Sequence, residues 1–369
     1  MRALIAMSGG VDSSAAALLM QRAGYACEGV TMRLYRSGDL GLACHKSCCA
    51  DRDAEDAAYV CFQLDIPHET LDLSGVFRAT VIRRFAETYE RGETPNPCID
   101  CNRFLKFGTL LDLALERGFD CLVTGHYARI TQNRETGRYE LRKAMDESKD
   151  QSYVLYTLSQ RQLAHLRLPL GELSKPEVRR LAEESGLVTA EKEESQDICF
   201  VPDGDYAAFL ARWTGRTFPP GDILDQSGAV LGQHRGAIRY TPGQRRGLGL
   251  PAGERVYVLE KDMARNTITV GPESALYSPG LLAGDFHWLS VPEPAAPVRV
   301  TARTRYRQKE FPALARPLPG RRLELLFDAP QRAVSPGQAV VLYDGDLVLG
   351  GGRILRTLKK EEKKGRTEA

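Results

Sequence analysis

Nine cysteines are present in the chain, and three of them stand where thiols could do chemistry. Cys98-Ile-Asp-Cys101 follows the rigid, extended Thr94-Pro-Asn-Pro97 and precedes a helix expected from about Phe104. That order places Cys101 near a helix N-terminus, where the dipole favours thiolate. Cys199 stands alone in Ser195-Gln-Asp-Ile-Cys-Phe200. Spacing by itself fits a redox pair, half a zinc site or iron–sulfur ligands, and does not choose among them. Cys44, Cys48 and Cys49 form a second cluster, read equally well as loop thiols, and carry no assigned role. Cys27, Cys61 and Cys121 fall on apolar faces and read as small buried hydrophobes.

A second kind of chemistry is offered by Ser8-Gly9-Gly10-Val11-Asp12-Ser13. It lies between the apolar run 2–7 and an alanine-rich stretch closed by Gly24, which predicts strand, tight loop and helix. Backbone N–H groups and the helix dipole then converge on an anion, and the glycines let the backbone approach phosphate without a Cβ. The loop lacks the lysine of a Walker A sequence. It resembles instead the pyrophosphate-binding loop of the N-type ATP pyrophosphatases, a likeness that implies cleavage between the α and β phosphates and adenylation of a substrate oxygen.

Positioning such groups takes a scaffold. Further strands are expected over 27–32, 69–73 and 121–124, separated by helical stretches over 51–64, 76–91 and 104–117. This alternation predicts a parallel α/β sheet with its ligand at the carboxyl ends of the strands. Ser174-Lys-Pro-Glu177 is a capping-box pattern opening a helix that ends at Gly186. After about residue 205 glycine and proline become frequent and β-rich segments dominate, at 255–259, 267–270, 298–306, 323–327 and 339–343. The expected architecture is an α/β domain over 1–205, a small mainly β central domain over 206–275, a β-barrel over 276–357 and a charged tail over 358–369.

At 369 residues, two or three domains are expected, and 27% charged with 43% hydrophobic residues is ordinary globular composition. Apolar runs such as 15–20 fall short of the ~20 residues a bilayer span needs, and no secretory signal is evident, so no membrane association and a cytoplasmic setting are expected. A net charge of +2 means that a nucleic-acid partner must be argued from a local basic face. Arg299, Arg303, Arg305, Arg307 and Lys309 alternate with small or apolar residues, which on one strand gathers five cations on one face. Such a stripe reads as a phosphate-contacting surface or as a solvated strand face.

Taken together, these segments closely resemble the bacterial tRNA-specific 2-thiouridylases, the MnmA/TrmU family. The likeness runs on through Thr124-Gly-His-Tyr-Ala128, Lys149-Asp-Gln-Ser-Tyr153, Cys199-Phe-Val-Pro-Asp-Gly-Asp205, Tyr240 to Gly249, Arg305-Tyr-Arg-Gln308 and Ser335-Pro-Gly-Gln338. It implies ATP-dependent, Mg²⁺-dependent 2-thiolation of a wobble uridine in tRNA, by a monomer served by a cysteine desulfurase or persulfide carrier. By the same resemblance Ala6, Met7, Ser8, Gly9, Gly10, Val11, Asp12, Ser13, Met32 and Gly125 surround ATP. Cys101 matches the nucleophile and Cys199 the persulfide carrier. Asn96, Pro97 and Cys98 would meet the target base, while His126, Lys149, Asp150, Gln151, Tyr306, Arg307 and Gln338 would contact tRNA. Read singly, His126 is also open to the reading of a satisfied buried histidine.

Cys98 departs from the better-known members of that family, which carry aspartate there, and the carboxylate here has moved to Asp100. Two sulfur routes therefore stay open: a Cys199 persulfide resolved through Cys101, or a [4Fe-4S] cluster on Cys98, Cys101 and Cys199 with one iron free to hold hydrosulfide. Two other readings compete: a different synthetase with the same loop, and a non-enzymatic tRNA-binding protein whose cysteines hold a structural metal.

Overall fold

A run of apolar residues with almost no polar break, Ala3-Leu-Ile5, is fully buried in the first strand, as expected of a parallel strand covered on both faces. In the computed structural model, which describes residues 1–35, 48–192, 198–250 and 255–359, this strand is β1 (Arg2–Ala6). It is followed by β2 (Ala26–Arg33), β3 (His68–Asp72), β4 (Cys121–Val123), an inserted hairpin of β5 (Ala128–Gln132) and β6 (Tyr139–Lys143), and β7 (Leu166–Arg167). Five of these form a parallel sheet in the order β3-β2-β1-β4-β7. The order reverses between β1 and β4, and a crevice opens at such a point beyond the carboxyl ends of the strands.

Helix α1 (Val11–Arg22) leaves the end of β1, and its Ala15, Ala16 and Ala17 are wholly buried. Beside it packs the helix Lys175–Glu184, opened as expected by a capping box in which Glu177 accepts the Ser174 N–H at 2.7 Å. The helix expected from Phe104 begins earlier. Pro97 occupies its first turn, and the Asn96 side chain accepts the Cys98 N–H at 3.2 Å. Helical winding then runs through Pro97–Asp100, a π-helical Cys101–Leu110 and Leu111–Glu116. Cys101 is thus a full turn inside the helix, not at its start.

Beyond residue 205 a four-stranded sheet combines β8 (Gly221–Leu224), β9 (Val230–His234), β10 (Tyr257–Asp262) and β11 (Thr267–Gly271) in the order β10-β11-β8-β9. The last unit comprises β12 (Tyr277–Trp288), β13 (Val298–Arg303), β14 (Phe311–Leu318), β15 (Arg322–Arg332), β16 (Ala339–Asp344) and β17 (Leu347–Thr357). These run β12-β15-β14-β13-β16-β17, and pairing of β12 with β17 closes them into an antiparallel barrel. The interior is filled by Leu281, Phe286, Phe311, Leu325 and Phe327.

Strand β13 stops at Arg303, short of the expected 306, so the predicted five-cation face does not form. A turn takes over in which the Gln308 side-chain oxygen accepts the Thr304 N–H at 2.8 Å. Arg299 pairs with Asp328, and Arg305 donates to the Ala333 carbonyl. Arg307 and Lys309 remain exposed.

The hairpin β5–β6 belongs to the first domain in sequence but pairs with β17, through Arg142 and Leu347. Arg129 and Arg142 each donate to Asp346 at 2.7 Å. Asp150 is a buried tie between the units: it accepts from the Ala144 N–H at 3.2 Å, the Ser152 N–H at 3.1 Å and Arg303 Nη1 at 3.0 Å. Only 1% of its side chain is exposed, against 14% for Arg303, which also meets Glu310 at 2.9 Å. Asp150→Ala would orphan two N–H groups and leave Arg303 half-compensated. It should lower unfolding stability by about 3 kcal/mol in chemical denaturation. An unchanged midpoint would show that this strut does not hold the barrel on.

Candidate active site

The loop after β1 meets the crevice with an uncapped helix start. Gly10 is the N-cap of α1 and has no side-chain cap, so the first turn directs its N–H groups outward. Inside the loop, Ser13 Oγ accepts the Ser8 N–H at 3.1 Å and donates to the Gly10 carbonyl at 3.0 Å. Gly9 has φ +69°, and a Cβ there would lie 2.0 Å from the Asp53 carbonyl oxygen. A Cβ on Gly125 would stand 2.7 Å from the Asp12 carbonyl carbon, so the segment after β4 lies directly on the loop backbone. Ala6 and Met7 complete the floor, with the Met7 N–H on the Val30 carbonyl at 2.8 Å, and Met32 lies near the end of the adjacent β2. Backbone donors, a twelve-residue helix and excluded Cβ atoms fit a polyphosphate.

Two lysines absent from the sequence reading fix this loop. Lys175, 6% exposed, reaches Asp12 Oδ1 at 2.6 Å, and the Tyr127 hydroxyl donates to the same oxygen at 2.7 Å. Lys192 donates to the Gly9 carbonyl at 2.9 Å and to Asp53 Oδ1 at 2.6 Å, and also contacts Asp56 Oδ2 at 2.5 Å. Lys175 was legible only as the residue after a helix cap.

Cys98, Cys101 and Cys199 meet in one cleft, where each thiol is within electrostatic reach of another. Cys98 and Cys199 keep exposed surface and Cys101 is half-buried; all three are free thiols. The cleft walls desolvate them, which raises all three pKa values and brings Cys199 to about 12. Burial is the largest influence on Cys101, which lies a full turn inside the helix and not at the N-terminus expected for it. Cys199 is placed by its neighbours: the Tyr35 hydroxyl donates to its carbonyl at 2.8 Å, and Phe200 is wedged edge-on against Phe77 and Phe85 at 5.6 and 5.2 Å. Asp100 turns to Arg84 at 3.2 Å and does not take the place of a carboxylate among the thiols. Among the described residues no group of three or more His, Cys, Asp or Glu side chains is spaced to hold a metal ion. Cys44 lies outside the described residues, as do the side chains of Cys48 and Cys49. Cys27, Cys61 and Cys121 are buried as expected.

Residues proposed for tRNA contact take up four different positions. Tyr306, on the turn after β13, lies within electrostatic range of Cys98, and exposed Arg307 follows it. Gln338 makes a long hydrogen bond to the Pro95 carbonyl at 3.5 Å, just ahead of Asn96 and Pro97. Asp150 and Gln151 face inward, Gln151 accepting the Tyr127 N–H at 2.9 Å, and Lys149 sits half-buried beside them. His126 is buried with Nδ1 2.8 Å from Thr124 Oγ1 and Nε2 3.4 Å from Lys106 Nζ.

The chain matches the family models described as tRNA methyl transferase HUP domain over residues 1–203, tRNA methyl transferase PRC-barrel domain over 207–272 and aminomethyltransferase beta-barrel domain over 278–354. The tRNA-specific 2-thiouridylase MnmA of Moorella thermoacetica is 49% identical, with 95% of this chain and 98% of that protein covered. Its counterpart in Symbiobacterium thermophilum is 46% identical over 97% and 93%, and that of Acetivibrio thermocellus 44% identical over 96% and 99%. Likeness of that extent, through the nucleotide loop, the thiol cleft and the barrel alike, settles the family: the chain belongs to the tRNA-specific 2-thiouridylases.

Proposed function

We propose that this tRNA-modifying enzyme activates the C2 oxygen of a wobble uridine with MgATP and replaces it with sulfur carried on Cys199. The convergence of three free thiols in a cleft of the same domain that carries the nucleotide loop is the observation that supports sulfur transfer most directly. Methyl transfer, suggested by the wording of two domain descriptions, would give those thiols no task.

In this reading the N–H groups of the Ser8–Ser13 loop hold pyrophosphate while the uridine oxygen attacks the α-phosphorus, turning a poor leaving group into AMP. The terminal sulfur of a Cys199 persulfide then attacks C2, and AMP departs with the C2–O electron pair. Cys101 attacks Cys199 Sγ, which breaks the S–S bond, leaves the electron pair on the new thiocarbonyl and creates a Cys101–Cys199 disulfide. An external dithiol reduces it for the next cycle, and a cysteine desulfurase or persulfide carrier reloads Cys199. Ser8 to Ser13, with Ala6, Met7, Met32 and Gly125, make up the ATP site; Asn96, Pro97 and Cys98 line the base pocket. A flipped base from a single-stranded anticodon loop suits such a recess. A tRNA substrate and reduced thiols belong to a cytoplasmic setting. No helix among the described residues is long and apolar enough to cross a membrane.

The deciding experiment is anaerobic thiolation of tRNA with ATP, Mg²⁺ and a persulfide donor, with and without iron reconstitution, read by nucleoside mass spectrometry. Iron-free protein should form 2-thiouridine together with AMP and pyrophosphate. Product that appears only after iron and sulfide loading would replace the persulfide route with a cluster on Cys98, Cys101 and Cys199.

Cys101→Ser and Cys199→Ser should each abolish thiolation while equilibrium dialysis still finds ATP bound. Retention of near-normal product by either variant would remove its assigned role. For tRNA, Arg307→Ala should weaken binding and reduce the slope of log Kd against log salt by about one, as loss of a single phosphate contact requires. Arg305→Ala should act instead through stability, because its guanidinium is bonded to the Ala333 carbonyl.

A further inference from the structure

Lys106 follows Cys101 by five residues within the π-helical segment Cys101–Leu110. In an α-helix residue i+5 lies about 140° around the axis from residue i. The i→i+5 winding of a π-helix returns it to the same side. Widening of the helix therefore turns Lys106 onto the face that carries Cys101. There its Nζ lies 3.4 Å from His126 Nε2, while His126 Nδ1 lies 2.8 Å from Thr124 Oγ1. His126 is held far below the usual histidine range by burial first and by the Lys106 charge second, so its ring is neutral. The network then assigns the ring proton to Nδ1, which donates to Thr124, and Nε2 accepts from the ammonium. No carboxylate pairs with Lys106 among the described residues. Its charge acts on Cys98, Cys101 and Cys199, and among the described residues no other cation does so for all three.

We propose that Lys106, oriented by His126, supplies the positive charge of the sulfur-transfer cleft and stabilises the anionic sulfur as it passes from Cys199 to the activated base and as Cys101 resolves the Cys199 linkage. This rests on the thiolation reading above. No bond to Lys106 forms or breaks, and its ammonium keeps its proton throughout; His126 is a positioning residue that fixes where the charge sits.

The test compares the wild-type enzyme with Lys106→Met, Lys106→Gln and Lys106→Arg, each checked for folding by thermal melting. Single-turnover thiolation by persulfide-loaded enzyme at saturating tRNA should fall by roughly 30-fold or more in both neutral variants and recover substantially in the arginine variant. The pyrophosphate burst, which reports adenylation, should stay within about twofold. Local charge is read without tRNA or ATP. Modification of Cys98, Cys101 and Cys199 by a dianionic aromatic disulfide is divided by modification with neutral iodoacetamide, residue by residue in mass spectra. That ratio cancels thiolate content and should drop about threefold or more in the neutral variants. An unchanged ratio overturns the proposal. So does a full single-turnover rate accompanied by weakened tRNA binding, which would make Lys106 an RNA contact. If wild-type enzyme with an active donor forms no 2-thiouridine, the thiolation reading fails by itself, and the reagent ratio still reports whether Lys106 charges the cleft.

Discussion

Contact between two backbone segments, with no room for a methyl group between them, organises this molecule. Gly125 lies so close to Asp12 and Ser13 that any Cβ would penetrate the loop. The parallel sheet creates the contact, because the loops after β1 and β4 meet where the strand order reverses. Everything that follows Gly125 is then positioned against the nucleotide loop. Tyr127 bonds Asp12, His126 bonds Lys106 toward the thiols, and Ala128 begins the hairpin that joins the barrel. One short segment thus touches the Ser8–Ser13 loop, the lysine beside the thiols and the hairpin that joins the barrel.

Several bonds tie the barrel to the site. The Thr94 N–H reaches the Pro336 carbonyl at 2.9 Å, Arg353 pairs with Glu93 at 3.0 Å, and the buried Tyr153 hydroxyl donates to the Ala339 carbonyl at 2.8 Å. These ties surround the approach to Asn96, whose side chain starts the cysteine helix. A displacement of the barrel would therefore be felt at Cys98. The turn bearing Tyr306 and the segment bearing Gln338 come from the barrel, so the residues proposed for tRNA contact and the thiols share one framework.

How much of this was legible depends on whether a feature is local. Glycine and serine in Ser8–Ser13, the apolar β1 and the Ser174 capping box are set by neighbours in sequence, and they formed as read. Asn96-Pro97 carried a capping signal too, but the paired prolines favoured an extended reading and delayed the expected helix start. The arginine alternation persisted in sequence after the strand had ended, because Gln308 closes a turn on Thr304 that periodicity cannot register. Pairing of β6 with β17, and the lysine bonds to Asp12 and Gly9, join residues far apart in the chain. The π-winding of Cys101–Leu110 has no signature in residue spacing, although it decides which side chains face the thiols.

The two halves of the site solve opposite electrostatic problems. MgATP arrives as a polyanion with its own cation, so the loop needs donors but no large free charge. Its lysines are accordingly neutralised by Asp12, Asp53 and Asp56 and serve to hold the backbone. In the proposed sulfur transfer the thiol cleft would receive no such cation. Desolvation raises its thiols, and every anionic sulfur formed there is costly unless the protein supplies the opposite charge. A neutral histidine orients a cation without cancelling it, whereas a carboxylate partner would have consumed its charge. The same physical chemistry thus favours paired lysines beside the phosphate loop and a histidine-held lysine beside the cysteines.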